Sequence, residues 1–242
     1  MADECPETSI IIPVKDEADN ISDLAGEITR AMDLRRWSWE AVWIDDGSSD
    51  GSLSALAALH QSDDRHRYLS FAENRGQSAA LCAGFRHCRG KVIATIDGDG
   101  QNDPVDLPDM IETVLADRAD MVNGYRARRR DSLIRKISSK VGNGFRSWLT
   151  GKTVRDVGCS TRAFRRECIE DLPQFTGMHR FLPTLAAMQG WRLAEVPVNH
   201  RPRQHGLSKY NIHNRLWVGL ADTLGVMWLK KRSFTYTIQS RS

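Results

Sequence analysis

Hydrophobic and polar positions repeat in a fixed order along the first half of this chain: a short apolar run, a polar tip, then a longer stretch with apolar residues at helical spacing. Apolar runs near 9–14, 40–45, 67–72, 91–97 and 120–125 predict strands, and amphipathic stretches near 18–34, 50–60, 76–89 and 105–117 predict helices. Short strands alternating with helices predict an α/β fold, a mostly parallel, Rossmann-like sheet with flanking helices. Beyond residue 125 the pattern loosens. A basic amphipathic helix fits 132–149, a strand 160–165, a helix 179–189 and a strand 192–198.

Three of the predicted strands end in chemistry. The first, Ser9-Ile-Ile-Ile-Pro13-Val14, runs into Asp16 and Glu17. The second ends at Asp45-Asp46-Gly-Ser-Ser-Asp50, where Ser49 or Asp50 can cap the next helix but Asp45 and Asp46 are not explained by capping. The third is Ile93-Ala-Thr-Ile-Asp97-Gly-Asp99-Gly-Gln101, two carboxylates one residue apart followed by a side-chain amide. Open α/β sheets bind ligands at the carboxyl ends of their strands. Hard oxygen donors suit Mg²⁺ or Mn²⁺ shared with substrate phosphates, although Asp-x-Asp alone also describes an ordinary acidic loop.

Taken together, IIPVKDEADN, WIDDGSSDGS, ENRGQSAAL and IDGDGQNDP resemble, in order and spacing, the family 2 glycosyltransferases of GT-A fold. Within that family the likeness is to polyprenyl-phosphate sugar transferases, the dolichol-phosphate mannose synthase group, over about residues 8 to 232. The resemblance implies a nucleoside site lined by Pro13, Val14, Glu17, Asp45, Asp46, Gly76 and Asp97, with Asp45 or Asp46 at the base and ribose. It implies a Mg²⁺ or Mn²⁺ site at Asp99 and Gln101, supported by Asp97. Gly76 would let backbone approach the nucleotide.

The second half carries the subgroup likeness. Arg126 to Ser139, then Thr150-Gly-Lys and Asp156-Val-Gly-Cys159-Ser-Thr-Arg162, resemble the bacterial undecaprenyl-phosphate sugar transferases, nearest to those that transfer aminoarabinose. Arg135 and Ser139 are four apart and share a helix face, so a guanidinium and a hydroxyl there can hold a lipid phosphate by charge-assisted hydrogen bonds. Arg126 can do the same from its strand end. Arg203-Gln-His-Gly206-Leu-Ser208-Lys209 matches the subgroup's Arg-x-x-Gly-x-Ser-Lys element, which implies that Arg203, Ser208 and Lys209 face the diphosphate or the acceptor. Asp97, Asp99, Arg126 and Asp156 are the catalytic candidates. Asp156 can act as base, orient an arginine or cap a turn, and a positioning role ranks first because a lipid phosphate is already an anionic nucleophile. His179, in Gly-Met-His-Arg, reads as a hydrogen-bonded structural histidine before a catalytic base.

Charge changes the picture more than composition does. Residues 1–125 carry 24 acidic against 11 basic side chains, whereas 126–166 carry 13 basic against 2 acidic. A basic block after an acidic metal half suggests contact with anions such as lipid phosphates, and no nucleic-acid module accompanies it. Five cysteines without a CxxC pair read as reduced thiols of an intracellular protein, and the acidic N-terminus does not resemble a secretion signal. Leu216 to Leu229 is too short and too interrupted by Asp222 to span a bilayer. Its helical apolar spacing, tryptophans and following Lys230-Lys-Arg232 describe an interfacial helix.

The expected organisation is a catalytic domain at 1–208, with a nucleotide and metal half at 1–125 and an acceptor half at 126–208. An amphipathic juxtamembrane segment at 209–232 and a disordered tail at 233–242 follow. The expected function is inverting transfer of a sugar from a nucleotide sugar to a polyprenyl phosphate, by a peripheral, monotopic protein on the cytoplasmic face of the plasma membrane, with room for a separate membrane subunit. UDP-sugars are favoured and GDP-mannose stays open. Two rivals are a family 2 transferase acting on an envelope polysaccharide or lipopolysaccharide, and a non-catalytic membrane-associated nucleotide-binding protein.

Overall fold

In the computed structural model of the protein the described residues are 5–127, 154–202 and 212–233, with 212–218 and 220 as backbone only. Seven strands form one sheet: β1 (Thr8–Val14), β2 (Trp39–Asp45), β3 (His66–Ser70), β4 (Val92–Thr95), β5 (Met121–Arg126), β6 (Arg162–Arg165) and β7 (Leu193–Val198). Their order is β3-β2-β1-β4-β6-β5-β7. β6 runs antiparallel to both β4 and β5, and every other pairing is parallel. β6 and β7, from the second half of the chain, therefore extend the same sheet.

Ile10, Ile11 and Ile12 are all fully buried, which is what a strand covered on both faces requires. Successive side chains point to opposite faces, so Ile10 and Ile12 enter one core and Ile11 the other. The first core is closed by α1 (Ala18–Met32), α2 (Ser52–Ser62) and α4 (Leu107–Leu115). In α1 the residues Ile21, Leu24, Ala25, Ile28 and Met32 recur at helical spacing and are all buried. The second core is closed by α3 (Gln77–His87), the short α5 (Glu167–Glu170) and α6 (Leu182–Met188). Val226 of α7 (Ile212–Arg232) joins it, fully buried.

The elements match the sequence expectation with local changes. The strand expected at 91–97 leaves the sheet after Thr95, so Asp97 stands on the loop beyond β4 rather than in it. The helix expected at 105–117 opens as a 3₁₀ turn at Pro104–Asp106, whose start is fixed by Asp103 accepting the Val105 amide at 3.1 Å. The helix expected at 179–189 is a 3₁₀ turn at Met178–Arg180 followed by α6. The helix expected at 132–149 lies outside the described residues. Asp50 serves two helices, accepting the Ser52 amide of α2 at 2.9 Å and the Ala18 amide of α1 at 3.2 Å.

Candidate active site

β1 is flanked by β2 on one side and β4 on the other, so the strand order reverses there and a crevice opens at the carboxyl ends. Pro13 and Val14 close β1 on this edge, and the Asp97–Gln101 loop leaves β4 beside them. Gly98 permits the approach: a Cβ on it would lie 2.4 Å from Val14 Cγ1 and 3.0 Å from the Pro13 carbonyl. The loop is then braced from three directions. Gln77 Nε2 donates to Asp97 Oδ1 at 2.8 Å. Asp99 Oδ1 accepts the Gln101 amide at 3.1 Å. Arg201 donates its amide to the Gln101 carbonyl at 2.7 Å, while its guanidinium pairs with Glu27 and with Asp103 at 2.7 Å.

Burial and the neighbouring Asp99 carboxylate push the Asp97 carboxyl up to about 6, a rise limited by hydrogen bonding to Ser160 and by the fields of Arg162 and Arg126. Two carboxylates that repel across one turn, held by a loop with little freedom, make a hard oxygen donor set that a divalent cation would relieve. The residues therefore fit Mg²⁺ or Mn²⁺, with Asp97 and Asp99 as the charged donors.

Asp45 and Asp46 are buried and shape the wall of the crevice. Asp45 accepts the Ser48 amide at 3.0 Å and the Ser70 hydroxyl at 2.8 Å. Asp46 accepts the backbone amides of Arg75 at 2.6 Å and Gly76 at 2.9 Å. The family resemblance implies that one of them meets the base and ribose; the structure adds a framework task for both, with Asp46 Oδ1 taking both the Arg75 and Gly76 amides and Asp46 Oδ2 the Gly76 amide. Gly76 has φ +87 and ψ 160, a conformation that only glycine adopts readily, and the space a Cβ would occupy is open. Glu17 precedes α1, where its carboxylate accepts from Asn20 Nδ2 at 2.6 Å.

On the other flank, Arg126 ends β5 and is gripped by Asp156. Nε to Oδ2 is 2.7 Å and Nη2 to Oδ1 is 3.0 Å, a two-pronged pair largely shielded from solvent. Of the three roles open to Asp156, the geometry displays the orienting one. His179 is neutral: burial, with Arg180 and Arg162 nearby, pulls it down to about 3. Its Nδ1 lies 2.8 Å from Ser78 Oγ, which also accepts the Gly177 amide at 3.0 Å. Arg135, Ser139, Arg203, Ser208 and Lys209 lie outside the described residues.

Sequence reasoning passed over Gln77, Ser78, Ser160 and Arg162, which hold the site together. All four lie inside the stretches that carry the family likeness; Gln77 and Ser78 directly follow Gly76, and Ser160 and Arg162 follow Asp156 within the same motif, so their polar character was the available signal.

The glycosyl transferase family 2 sequence model matches residues 9–172. The dodecaprenyl-phosphate galacturonate synthase of Rhizobium johnstonii is 35% identical over 229 residues, 93% of this chain and 68% of that protein. The undecaprenyl-phosphate 4-deoxy-4-formamido-L-arabinose transferase of Salmonella choleraesuis is 38% identical over 216 residues, 87% of this chain and 65% of that protein. The chain thus spans about two thirds of the length of these relatives. Among solved structures, a mannosyltransferase from Pyrobaculum calidifontis in complex with GDP-Man and Mn²⁺ superposes with a TM-score of 0.66 at 23% identity, over 97% of this chain and 67% of that one. The glucosyl-3-phosphoglycerate synthase of Mycobacterium tuberculosis, with Mg²⁺ and UDP, gives 0.68 at 17% identity, over 93% and 79%. The fold is GT-A, and on the family match and the identity to these relatives the chain belongs to glycosyl transferase family 2.

Proposed function

We propose that this protein transfers a sugar from a nucleotide sugar, UDP-linked by preference, to a polyprenyl phosphate with inversion at the anomeric carbon. One observation carries the reading. A braced pair of carboxylates, Asp97 and Asp99, occupies the switch-point crevice, and a guanidinium, Arg126, is fixed by Asp156 at the end of a strand on the same sheet edge. The names of the curated relatives, both polyprenyl-phosphate sugar transferases, support the acceptor class.

In this reading a phosphate oxygen of the lipid forms the new bond to the anomeric carbon as the bond to the diphosphate oxygen breaks, its electron pair leaving with the nucleoside diphosphate. The nucleophile is anionic near neutral pH, so no strong general base is needed. Asp97 and Asp99, with Gln101 as a neutral donor, would hold Mg²⁺ or Mn²⁺, which supplies charge stabilisation to the departing diphosphate. Pro13, Val14, Glu17 and the Asp45–Asp46 wall receive the nucleoside, where the remaining lone pair of Asp46 Oδ2 can accept from a base N–H. Arg126 attracts and orients the acceptor phosphate; Arg135, Ser139, Arg203, Ser208 and Lys209 are proposed to complete that anion site.

α7 gives the protein its membrane face in this proposal. Thr223 and Val226 pack inward, while Leu224 and Trp228, four apart, are exposed on another side next to Lys230–Arg232. No helix among the described residues is long and apolar enough to cross a membrane. We propose attachment at the cytoplasmic membrane surface, alone or with a membrane subunit; the exposed Leu224 and Trp228 beside the basic Lys230–Arg232 support it.

The test is product analysis. Labelled donor and polyprenyl phosphate in detergent should give label in the organic phase, as a β-linked lipid phosphodiester from an α-linked donor by NMR. An α-linked product would remove inversion, and label confined to water or to a polysaccharide would remove the lipid acceptor.

A further inference from the structure

Arg162 is a buried charge beside the crevice for which the chemistry above has no use. It opens β6 with only 3% of its surface exposed. Its three hydrogen bonds go to neutral oxygens on three segments: Nε to Asn123 Oδ1 at 2.9 Å in β5, Nη2 to the Val157 carbonyl at 2.8 Å beside Asp156, and Nη1 to the His179 carbonyl at 3.0 Å. Burying a guanidinium costs several kcal/mol unless nearby groups offset it. The carboxylates whose fields reach it are Asp97 and Asp156, one from each flank of the crevice.

The segments it joins are those that carry the two flanks. Asn123, itself fully buried, donates onward to the Asp156 carbonyl at 3.2 Å. His179 is tied to Ser78, and the preceding residue, Gln77, holds Asp97. A continuous path of contacts thus runs from Asp97 through α3 and the Met178–Arg180 turn to Arg162, and from there to the loop that fixes Arg126. Lysine cannot reproduce it, because one ammonium on a flexible stem does not present a planar fork to three separate acceptors.

We propose that Arg162 is a positioning residue that sets the distance and angle between the donor side of the crevice, at Asp97, and the acceptor side, at the Arg126–Asp156 pair. The inference rests on the transferase reading and adds to it a residue that touches neither substrate. A misplacement of about 1 Å between reacting groups costs on the order of 100-fold in rate, so the effect belongs in kcat and not in nucleotide affinity.

The experiment compares Arg162→Lys, Arg162→Ala and Ser78→Ala with the wild type in the full chain. Nucleoside diphosphate affinity is measured calorimetrically with Mn²⁺, transfer by steady-state kinetics, and backbone order by hydrogen exchange. Positioning predicts UDP affinity within about threefold of the wild type, kcat lower by about 100-fold in both Arg162 variants, and partial recovery of Arg162→Ala by added guanidinium ion. It also predicts faster exchange at 154–160 and 177–181 together, with β1 to β3 unchanged. Ser78→Ala, which leaves the buried charge in place, should lower kcat in the same direction and decides the matter if the Arg162 variants do not fold. Arg162→Lys or Ser78→Ala with kcat within threefold of the wild type, or exchange rising throughout the chain, overturns the proposal. Wild-type protein that ignores polyprenyl phosphate would instead overturn the acceptor assignment, and the exchange pattern would still judge Arg162.

Discussion

Gln77 donates its side-chain amide to Asp97 across 2.8 Å, and so links the first turn of α3 to the Asp-x-Asp loop. The bond goes to a carboxylate crowded by Asp99, where a donor is worth more than at the surface; hydrogen bonds to charged groups contribute about 1.5–3 kcal/mol. Gln77→Ala should therefore raise the Mn²⁺ concentration needed for half-maximal turnover by about tenfold or more, and lower the melting temperature by about 2–4 °C for each kcal/mol lost. Gln77→Glu should be worse, because it places a third carboxylate at the loop. A metal titration of both variants checks the order, and an unchanged requirement in Gln77→Glu would show that the amide does not matter to the metal.

Asp99 has a sharper expectation. Asp99→Ala removes one of two charged donors from a half-buried turn whose side chains join neither core. Transfer should fall by at least about 100-fold, the scale of losing one well-placed electrostatic contact to a transition state, while circular dichroism and thermal unfolding stay as in the wild type. Turnover at the wild-type rate would remove Asp99 from the metal site.

The Arg126–Asp156 pair separates orientation from base catalysis. Removing one partner of a shielded ion pair costs about 3–5 kcal/mol because the other charge is left behind, so Asp156→Ala should lower both stability and turnover. If Asp156 orients Arg126, the surviving activity of Asp156→Asn is reduced by one factor across pH 6 to 9. A general base would instead impose an acid limb in the wild-type pH profile that Asp156→Asn abolishes. Steady-state rates over that range decide between the two.

His66 carries a pH prediction for stability. Trp43 Nε1, which can only donate, points at His66 Nδ1 at 3.1 Å, so the proton sits on Nε2, 3.0 Å from Thr29 Oγ1. Burial pulls this imidazole down to about 4, with Asp63 and Asp33 opposing and Arg65 assisting. The unfolded chain takes up its proton near pH 6.5 and the folded chain does not until about pH 4, so the stability contribution is complete above 6.5 and is lost as pH falls towards 4. The loss should be on the order of 3 kcal/mol. Urea unfolding from pH 7.5 to 4.5 should show His66→Gln losing less stability on acidification than the wild type, and parallel losses would contradict the assignment.

What the chain discloses in its sequence follows from how local the cause is. Ile10 to Ile12, a continuous apolar run, betrays a strand covered on both faces, and the acidic tips at Asp45 and Asp97 fall where the crevice lies. The antiparallel direction of β6 could not be read, because four residues have no period of their own and their direction is set by β4 and β5. The framework role of Asp46 was hidden for a similar reason: its partners, the Arg75 and Gly76 amides, are about 30 residues away and have no side-chain signature. Arg162 looked like one more arginine of a basic block until its three acceptors came together from separate segments.

The most direct test of the account is release of nucleoside diphosphate by the purified protein, with Mn²⁺ or Mg²⁺ and a panel of UDP- and GDP-sugars, in the presence and absence of a polyprenyl phosphate. The account predicts release that requires both the metal and the lipid phosphate, with one donor sugar, from the UDP series, far ahead of the rest. Release that is indifferent to the lipid phosphate, or that persists in full with the metal chelated, would contradict it.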